Sequence, residues 1–405
     1  MTNDRSRDGS GVNESDEATA GIRSSPSISI VERVAAETDR SPLELPPLNE
    51  TVDVDALDRL LEGGADRPWP TVVFRYVDRR IRATVDGEIT ISRPDEDEIS
   101  VVDEWTHVSV AAEPDDRSLG VRLVSALADR SGRDRSRVRT AVAEVVDPDA
   151  LARLSRRREN GISRPGATVL FSVLGCDVVV DAGGTISVGS TLGRLKRTGG
   201  NVLIAGGVPD DLVDVASGNL LGDPGRDRRH LVALLDRDRS VVSARLGPAR
   251  AGSTQIVDYA MSARSIAPTG ASADGGRVVD EPTDLDELEA AIDARIRAFG
   301  TGGCLSAPGD LRLCVDSLRP VLDERGTDGA AEFLEPICEA VRDVSGLGHY
   351  VLPVDRENDA VRALESLFDA TVELRVGDCG PQQRWHLHES GYATDWIGLG
   401  RPGRR

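Results

Sequence analysis

The sequence predicts a multidomain chain in which two small α+β modules, each of two helices and a three-stranded antiparallel sheet, precede an α/β domain with a mainly parallel sheet. Three observations lead there. One order of signals recurs about 95 residues apart, strands begin to alternate with helices after Gly199, and 405 residues exceed what one compact domain usually holds.

Residues 1–26 carry Asp, Ser, Gly, Asn and Glu with little apolar content, which is too little burial to offset ordering, so a disordered acidic tail is expected. Folded sequence begins near Ser27, where Ile28, Ile30, Val31, Val34 and Ala35 have helical spacing to about Glu37. A turn at 38–42 and the proline-stiffened stretch 43–48 follow. Asp53 then stands as the N-cap of a second helix that ends at Gly63 and Gly64. Strands are expected at 71–76, 81–85 and 88–91, turning at Asp78 and at Asp86-Gly87.

The repeat is anchored by identities. Val-Asp-Val-Asp-Ala-Leu at 52–57 returns as Val-Asp-Pro-Asp-Ala-Leu at 146–151, and 72–91 returns without a gap as 169–188. Phe74 matches Phe171, Ile81 matches Val178, Gly87 matches Gly184, and Ile89 matches Ile186. The opening helix returns at 119–129. Apolar positions and turn glycines are kept, whereas Arg75, Arg79 and Arg80 give way to Ser172, Cys176 and Asp177. That pattern describes a duplicated scaffold with divergent surfaces. The segment 93–117 between the copies is a charged linker, with 99–102 and 108–112 as further strand candidates.

Acidic residues outnumber basic ones 69 to 49, giving a formal charge of −20. The summed field repels phosphates, so nonspecific nucleic-acid binding is disfavoured. Lys196 is the only lysine. An acidic chain with almost no lysine and only 3% aromatics resembles the proteins of salt-loving archaea, in which hydrated carboxylates maintain solubility. No run approaches the roughly 18 apolar residues of a spanning helix, and the first 20 residues lack a basic-then-apolar leader, which points to the cytoplasm. Cys176, Cys304, Cys314, Cys338 and Cys379 form no CxxC pair and no disulfide framework, and are expected as buried small hydrophobes.

A unit of helix, Leu-Pro-Pro-Leu (45–48), Val-Asp-x-Asp-Ala-Leu, Phe-x-Tyr and a closing Asp-Gly turn resembles the halobacterial output domain, a small module of haloarchaeal signalling proteins. The first copy, 27–92, fits closely. The second, 118–189, departs from it, with Arg139-Thr-Ala-Val142 in place of the proline motif and Val173 in place of Tyr76. The resemblance implies a signalling output role and carries over no catalytic residue.

From Gly199 onward, strands are expected at 201–205, 230–235, 241–245, 255–259, 311–315, 349–352 and 371–374, and helices at 284–299, 330–344 and 358–368. The apolar strand ending Asp316-Ser317-Leu318 puts Asp316 at the carboxyl edge of the sheet, where open α/β sheets place ligands. The order over 199–390 is similar to the RecA/KaiC-like nucleotide-binding core. In an active member the first loop reads GxxxxGK[ST], with amides around the phosphates and a lysine on the outer ones. Here it reads Ala205-Gly-Gly-Val-Pro-Asp-Asp-Leu212, so that Asp211 stands for the second glycine and Leu212 for the lysine. Asp210 and Asp211 are expected to cap the following helix in place of a phosphate. Gly206, Gly207 and Asp316 are then vestigial cofactor-binding positions, with no cofactor expected, and only a fold-back of Arg194, Lys196 or Arg197 brings a cation near.

His386 and His388 share a strand face with Cys379 seven residues before; without a fourth ligand they are expected on an exposed terminal hairpin rather than at zinc. His107, His230 and His349 are expected as packing residues. Arg156-Arg-Arg158 ends a predicted helix as a solvated cap, and Trp385 and Trp396 dock the tail. Catalytic and metal-ligating residues are expected to be absent. The function these features favour is noncatalytic signal transduction through a protein partner, with neither nucleic acid nor membrane engaged. Two readings stay open beside it: a divergent ATP-binding regulator using Asp316 and an arginine, and a transcriptional regulator contacting DNA. The partner and the oligomeric state are not legible.

Overall fold

Proline and an apolar stripe start the fold. In the computed structural model, which describes residues 25–62, 70–93, 110–112, 117–154, 166–222, 228–247, 251, 253–259, 276–302, 305, 307–378, 380–389 and 391–400, helix α1 (Pro26–Glu37) has proline in its first turn and buries Ile30, Val34 and Ala35. The Ser27 amide and hydroxyl both donate to Asp58 at 2.8 Å, tying α1 to α2 (Val54–Leu61). Asp53 caps α2 by accepting from the Ala56 amide at 3.0 Å. Between the helices the prolines form two 3₁₀ turns, Pro42–Glu44 and Leu48–Glu50. Strands β1 (Thr71–Tyr76), β2 (Arg79–Thr84) and β3 (Ile89–Ser92) form the antiparallel meander, burying Val72, Phe74, Tyr76, Ile81 and Ala83 against the helices.

The second copy follows after β4 (Val110–Ala112) with three helices where two were expected: α3 (Leu119–Ser131), α4 (Arg135–Val145) and α5 (Pro148–Leu154). The extra one is α4. Without prolines, the segment around Arg139-Thr-Ala-Val142 stays helical and buries Val138 and Val142. The loss of Tyr76 has the same origin, because in the first copy its hydroxyl donates to the Pro46 carbonyl at 2.5 Å. The proline turn and the tyrosine are partners, and the second copy lacks both. Strands β5 (Ala167–Val173), β6 (Cys176–Val180) and β7 (Ile186–Ser190) reproduce the first meander in the same register, with Ser172 opposite Asp177 as Arg75 is opposite Arg80.

The two meanders form one seven-stranded sheet, ordered β3-β2-β1-β5-β6-β7-β4. Its centre is a pseudo-two-fold axis. Val72 pairs with its own repeat counterpart Val169, and Val73 pairs with Thr168, the counterpart of Thr71. Helices α2 and α5 meet across the same axis. There Arg153 lies 2.8 Å from the Asp53 carboxylate, and its counterpart Arg59 lies 4.0 Å from Asp147, the counterpart of Asp53. Reciprocal contacts of this kind define an isologous interface, here inside one chain. Both inner strand edges are thereby satisfied.

Helix α6 (Thr191–Thr198), capped by Ser190, leads into the α/β domain. Its further elements are β8 (Gly200–Ala205), α7 (Asp210–Leu221), β9 (Arg229–Leu234), α8 (Ser240–Leu246), β10 (Gln255–Asp258), β11 (Arg277–Asp280), α9 (Leu285–Thr301), β12 (Leu311–Val315), α10 (Arg319–Asp343), β13 (Leu347–Leu352), α11 (Asp359–Leu364), β14 (Ala370–Gly377), β15 (Gly380–Leu387), β16 (Tyr392–Ala393) and β17 (Ile397–Gly398). The sheet runs β11-β10-β9-β12-β13-β8-β14-β15-β16, parallel as far as β14, with β17 pairing β15. Residues of α9, α10 and α11 share one buried cluster with one face of the sheet, while α7 and α8 cover the other.

Three expectations are corrected. Residues 241–245 are helical: Asp238 caps the turn by accepting from the Ser240 amide, and Val241, Val242 and Arg245 bury one helical face. The helix expected at 330–344 starts at Arg319 and is interrupted by Gly326 in a left-handed conformation. The 358–368 helix stops at Leu364 and closes as a 3₁₀ turn, Glu365–Leu367. Strand β11 and helix α6 were not anticipated. The tail as far as residue 24, strand candidate 99–102, His107, Arg156–158, Cys304 and Cys379 lie outside the described residues. No described helix is long and apolar enough to cross a membrane.

Candidate functional site at the carboxyl edge of the parallel sheet

The carboxyl ends of β8, β9, β12 and β13 open into a cavity of about 400 Å3 lined by Asp210, Asp236, Arg237, Asp238, Asp316 and Arg319, among others. The sequence placed Asp316 there, and the structure does too. Asp316 is 2% exposed, and its carboxylate accepts from the amides of Leu235 (2.7 Å) and Arg237 (2.9 Å), just beyond β9. It ties the exit of β9 to that of β12.

Gly206 and Gly207 lead from β8 toward α7. A side chain on Gly206 would place its Cβ 2.6 Å from the Leu374 carbonyl, so the close approach of β14 requires glycine. The Gly206 amide donates to the Val354 carbonyl at 2.7 Å and the Gly207 amide to the Asp355 carboxylate at 3.2 Å. Asp355 carried no sequence signal, since it lies in a loop about 150 residues away. The expected capping by Asp210 and Asp211 is corrected: Pro209 is the N-cap of α7, and no side chain caps it. Both aspartates sit in the first turn, where their charge suits the helix dipole, and Asp210 lies 3.9 Å from Arg237.

Of the cations that only a fold-back could bring near, Arg194 and Lys196 precede β8 and are held at the opposite edge of the sheet. Arg194 pairs with Asp177 (2.9 Å) and Glu389 (2.6 Å), while Lys196 stands 5.0 Å over the Trp385 ring. Two cations do line the cavity, Arg237 and Arg319, and the sequence reading named neither; Arg237 is the more tightly held. It makes a two-pronged pair with Asp214 (3.0 and 3.1 Å), and that carboxylate also accepts from Arg245 Nε at 2.9 Å. Arg319 Nη2 donates to the Pro353 carbonyl at 3.0 Å.

Beneath α7 lies a polar layer. Arg245 Nη1 is 3.0 Å from Cys314 Sγ, whereas Arg245 Nη2, Ser217 Oγ and His349 Nε2 are buried with no hydrogen-bond partner. Burial, together with Arg245 and Arg312, pulls the His349 imidazole down to about 3, and burial pushes the Asp316 carboxyl up to about 6. The folded pKa of Asp316 is above its unfolded 3.8. Its contribution to stability is therefore complete at low pH and fades as pH rises from about 4 to 6. The folded pKa of His349 is below its unfolded 6.5, so its contribution is present above about pH 6.5 and fades as pH falls. The two oppose each other in this window. Asp316→Asn is expected to steepen the loss of stability on acidification from about pH 6.5 to 4, and His349→Gln to flatten it. Urea unfolding of the three proteins at closely spaced pH values reads this, and identical slopes would refute it.

His386 and His388 do share a face but are not on an exposed hairpin. They are partly buried beside β14, with His386 Nε2 2.8 Å from Glu373 and His388 Nε2 2.9 Å from Thr371 Oγ1. Among the described residues no group of three or more His, Cys, Asp or Glu side chains is placed to hold a metal ion. His230 is packed, with Nε2 3.2 Å from the Leu221 carbonyl, and Cys176, Cys314 and Cys338 are free and buried. Trp385 is buried, and Trp396 lies under Arg375 at 3.7 Å, docking the tail as expected.

Two solved structures are similar over 49% of this chain. One is an uncharacterized protein from Pyrococcus horikoshii in complex with an unknown peptide (11% identity, 87% of that chain, TM-score 0.36). The other is a KaiC-like protein from the hyperthermophilic archaea Pyrococcus horikoshii OT3 (13% identity, 84% of that chain, TM-score 0.33). No curated protein matches the chain. Residues 199–374 match a family of unknown function (DUF7504). Residues 23–93 and 115–190, the two halves of the pseudo-two-fold sheet, each match the model of Halobacterial output domain 1.

Proposed function

We propose that this protein is a noncatalytic signal-transduction component that acts through protein–protein contact, with a nucleotide-binding-type domain that has lost its phosphate loop. The tandem output-domain matches support the signalling role. One observation carries the rest: the amides of Gly206 and Gly207, placed where a phosphate loop would cradle its ligand, donate to the chain's own Val354 carbonyl and Asp355 carboxylate. A triphosphate seated there would have to displace a carboxylate and meet Asp210 and Asp211, with one of the cavity's arginines, Arg237, already paired to Asp214.

Titration of the full chain with ATP and magnesium by calorimetry, at low and at molar salt, tests this. The expected result is no binding up to millimolar nucleotide. Micromolar binding abolished by Asp316→Asn would overturn it in favour of a divergent ATP-binding regulator. A band shift with duplex DNA that persists as salt rises would instead support the transcriptional alternative.

A further inference from the structure

The pseudo-two-fold sheet has one strand without a counterpart. Across the order β3-β2-β1-β5-β6-β7-β4, strand β4 pairs the outer edge of β7, whereas among the described residues no strand pairs the outer edge of β3. Strand β4 comes from the segment between the two copies and not from the repeat itself. The second module is closed on both sides: β4 covers its edge, and its hairpin end clasps the C-terminal domain, with Gly175 against the Tyr392 ring and Arg194 bridging Asp177 and Glu389.

The two edges compare residue by residue. Thr84 and Asp181 open their ladders alike, their amides donating to the carbonyls of Glu88 at 3.0 Å and Thr185 at 3.1 Å. Hydrogen-bonded pairs alternate along an antiparallel ladder, so Ile186 and Val188 turn their amides and carbonyls away from β6, toward Ala112 and Val110 of β4. Their counterparts Ile89 and Ile91 turn theirs away from β2 in the same way. Burial differs between the two settings: Ile186 and Val188 are 0% and 1% exposed, whereas Ile89 and Ile91 are only half-buried. One charged side chain guards the open edge, because Arg33 of α1, itself exposed, donates to the Ile89 carbonyl at 2.7 Å.

We propose that the outer edge of β3 takes an extended strand of a partner protein, added antiparallel as β4 is added to β7, with apolar residues two apart opposite Ile89 and Ile91. This rests on the signalling reading above and names the form in which the partner is presented. Main-chain pairing supplies the affinity, and alternate side chains supply the selectivity. A strand seated there pairs with the outward amides and carbonyls of Ile89 and Ile91 and covers their side chains, as Val110 and Ala112 flank Val188 and Ile186. Arg33 must first leave the Ile89 carbonyl, which disfavours indiscriminate pairing with other sheet edges.

The test uses the full chain, a fluorescein-labelled peptide Thr-Val-Thr-Val-Thr, and fluorescence anisotropy. Ile91→Pro removes an outward amide that β2 does not use, and is expected to melt cooperatively and to bind the peptide about tenfold more weakly. Arg33→Ala clears the Ile89 carbonyl without altering β3, and is expected to bind about threefold more tightly. The same peptide N-methylated at both valines keeps its side chains but loses the amides that would face β3, and is expected not to bind. The proposal fails if the wild type does not bind, if the methylated peptide binds equally well, if Arg33→Ala gains nothing, or if folded Ile91→Pro binds as wild type does. It also fails if light scattering shows a wild-type dimer that Ile91→Pro separates, which would assign the edge to a second copy of this chain. Nucleotide binding is read at a different site, so failure of this edge leaves the signalling reading standing.

Discussion

Asp214→Ala is expected to destabilise the α/β domain by about 3–5 kcal/mol, the usual cost of stranding a buried charge. The Asp214 carboxylate faces Arg237 and Arg245 at once, and the Arg245 side chain is only 1% exposed. Without Asp214, Arg245 retains the Cys314 thiol as a polar neighbour, while its Nη2 is already without a partner. Burial disfavours the charged guanidinium, whereas Cys314, Asp214 and Asp316 favour it, and the net direction is upward from the ordinary arginine value. Urea unfolding at neutral pH measures the loss. Adding Arg245→Met, which removes the stranded charge and keeps the volume, is expected to recover much of it. A loss below about 1 kcal/mol for Asp214→Ala alone would mean that water reaches Arg245.

Asp177→Ala is expected to cost about 3 kcal/mol and to loosen the second module from the C-terminal domain. Its carboxylate is 3% exposed and accepts from two hydroxyls and one guanidinium; removing it leaves Ser172 and Thr191 without that acceptor. Arg194 keeps Glu389 at 2.6 Å, and for this reason the expected loss is below that of Asp214→Ala. Faster hydrogen exchange around Tyr392, together with a lower unfolding midpoint, is the expected signature. A lower midpoint with unchanged exchange there would show that the clasp does not depend on this carboxylate.

Much of the architecture was legible because it rests on local rules. The repeat, the paired turns at Gly87 and Gly184 and the apolar alternation of Val72, Phe74 and Tyr76 all express preferences of neighbouring residues. Asp316 was legible for the same reason, as a polar residue ending an apolar run. Residues 241–245 were misread because two valines mimic a strand, while the deciding contact, a helical face buried beneath α7, is long-range. The aspartates after Pro209 were read as caps because their position suits the helix dipole, whereas their side chains in fact remain in solvent.

The order of residues alone determined that there are two copies of one small module, that a parallel α/β domain follows, and that a single lysine precedes its first strand. Only the tertiary structure decided that the copies fuse about a pseudo-two-fold axis, that Asp355 accepts from the Gly207 amide while Arg237 pairs with Asp214, and that Asp177 holds Arg194, Ser172 and Thr191 together. The physical reason is range. Periodicity and turn chemistry act over a few residues and are written into every window, but a strand edge or a buried charge is satisfied by whichever distant group the folded chain brings to it.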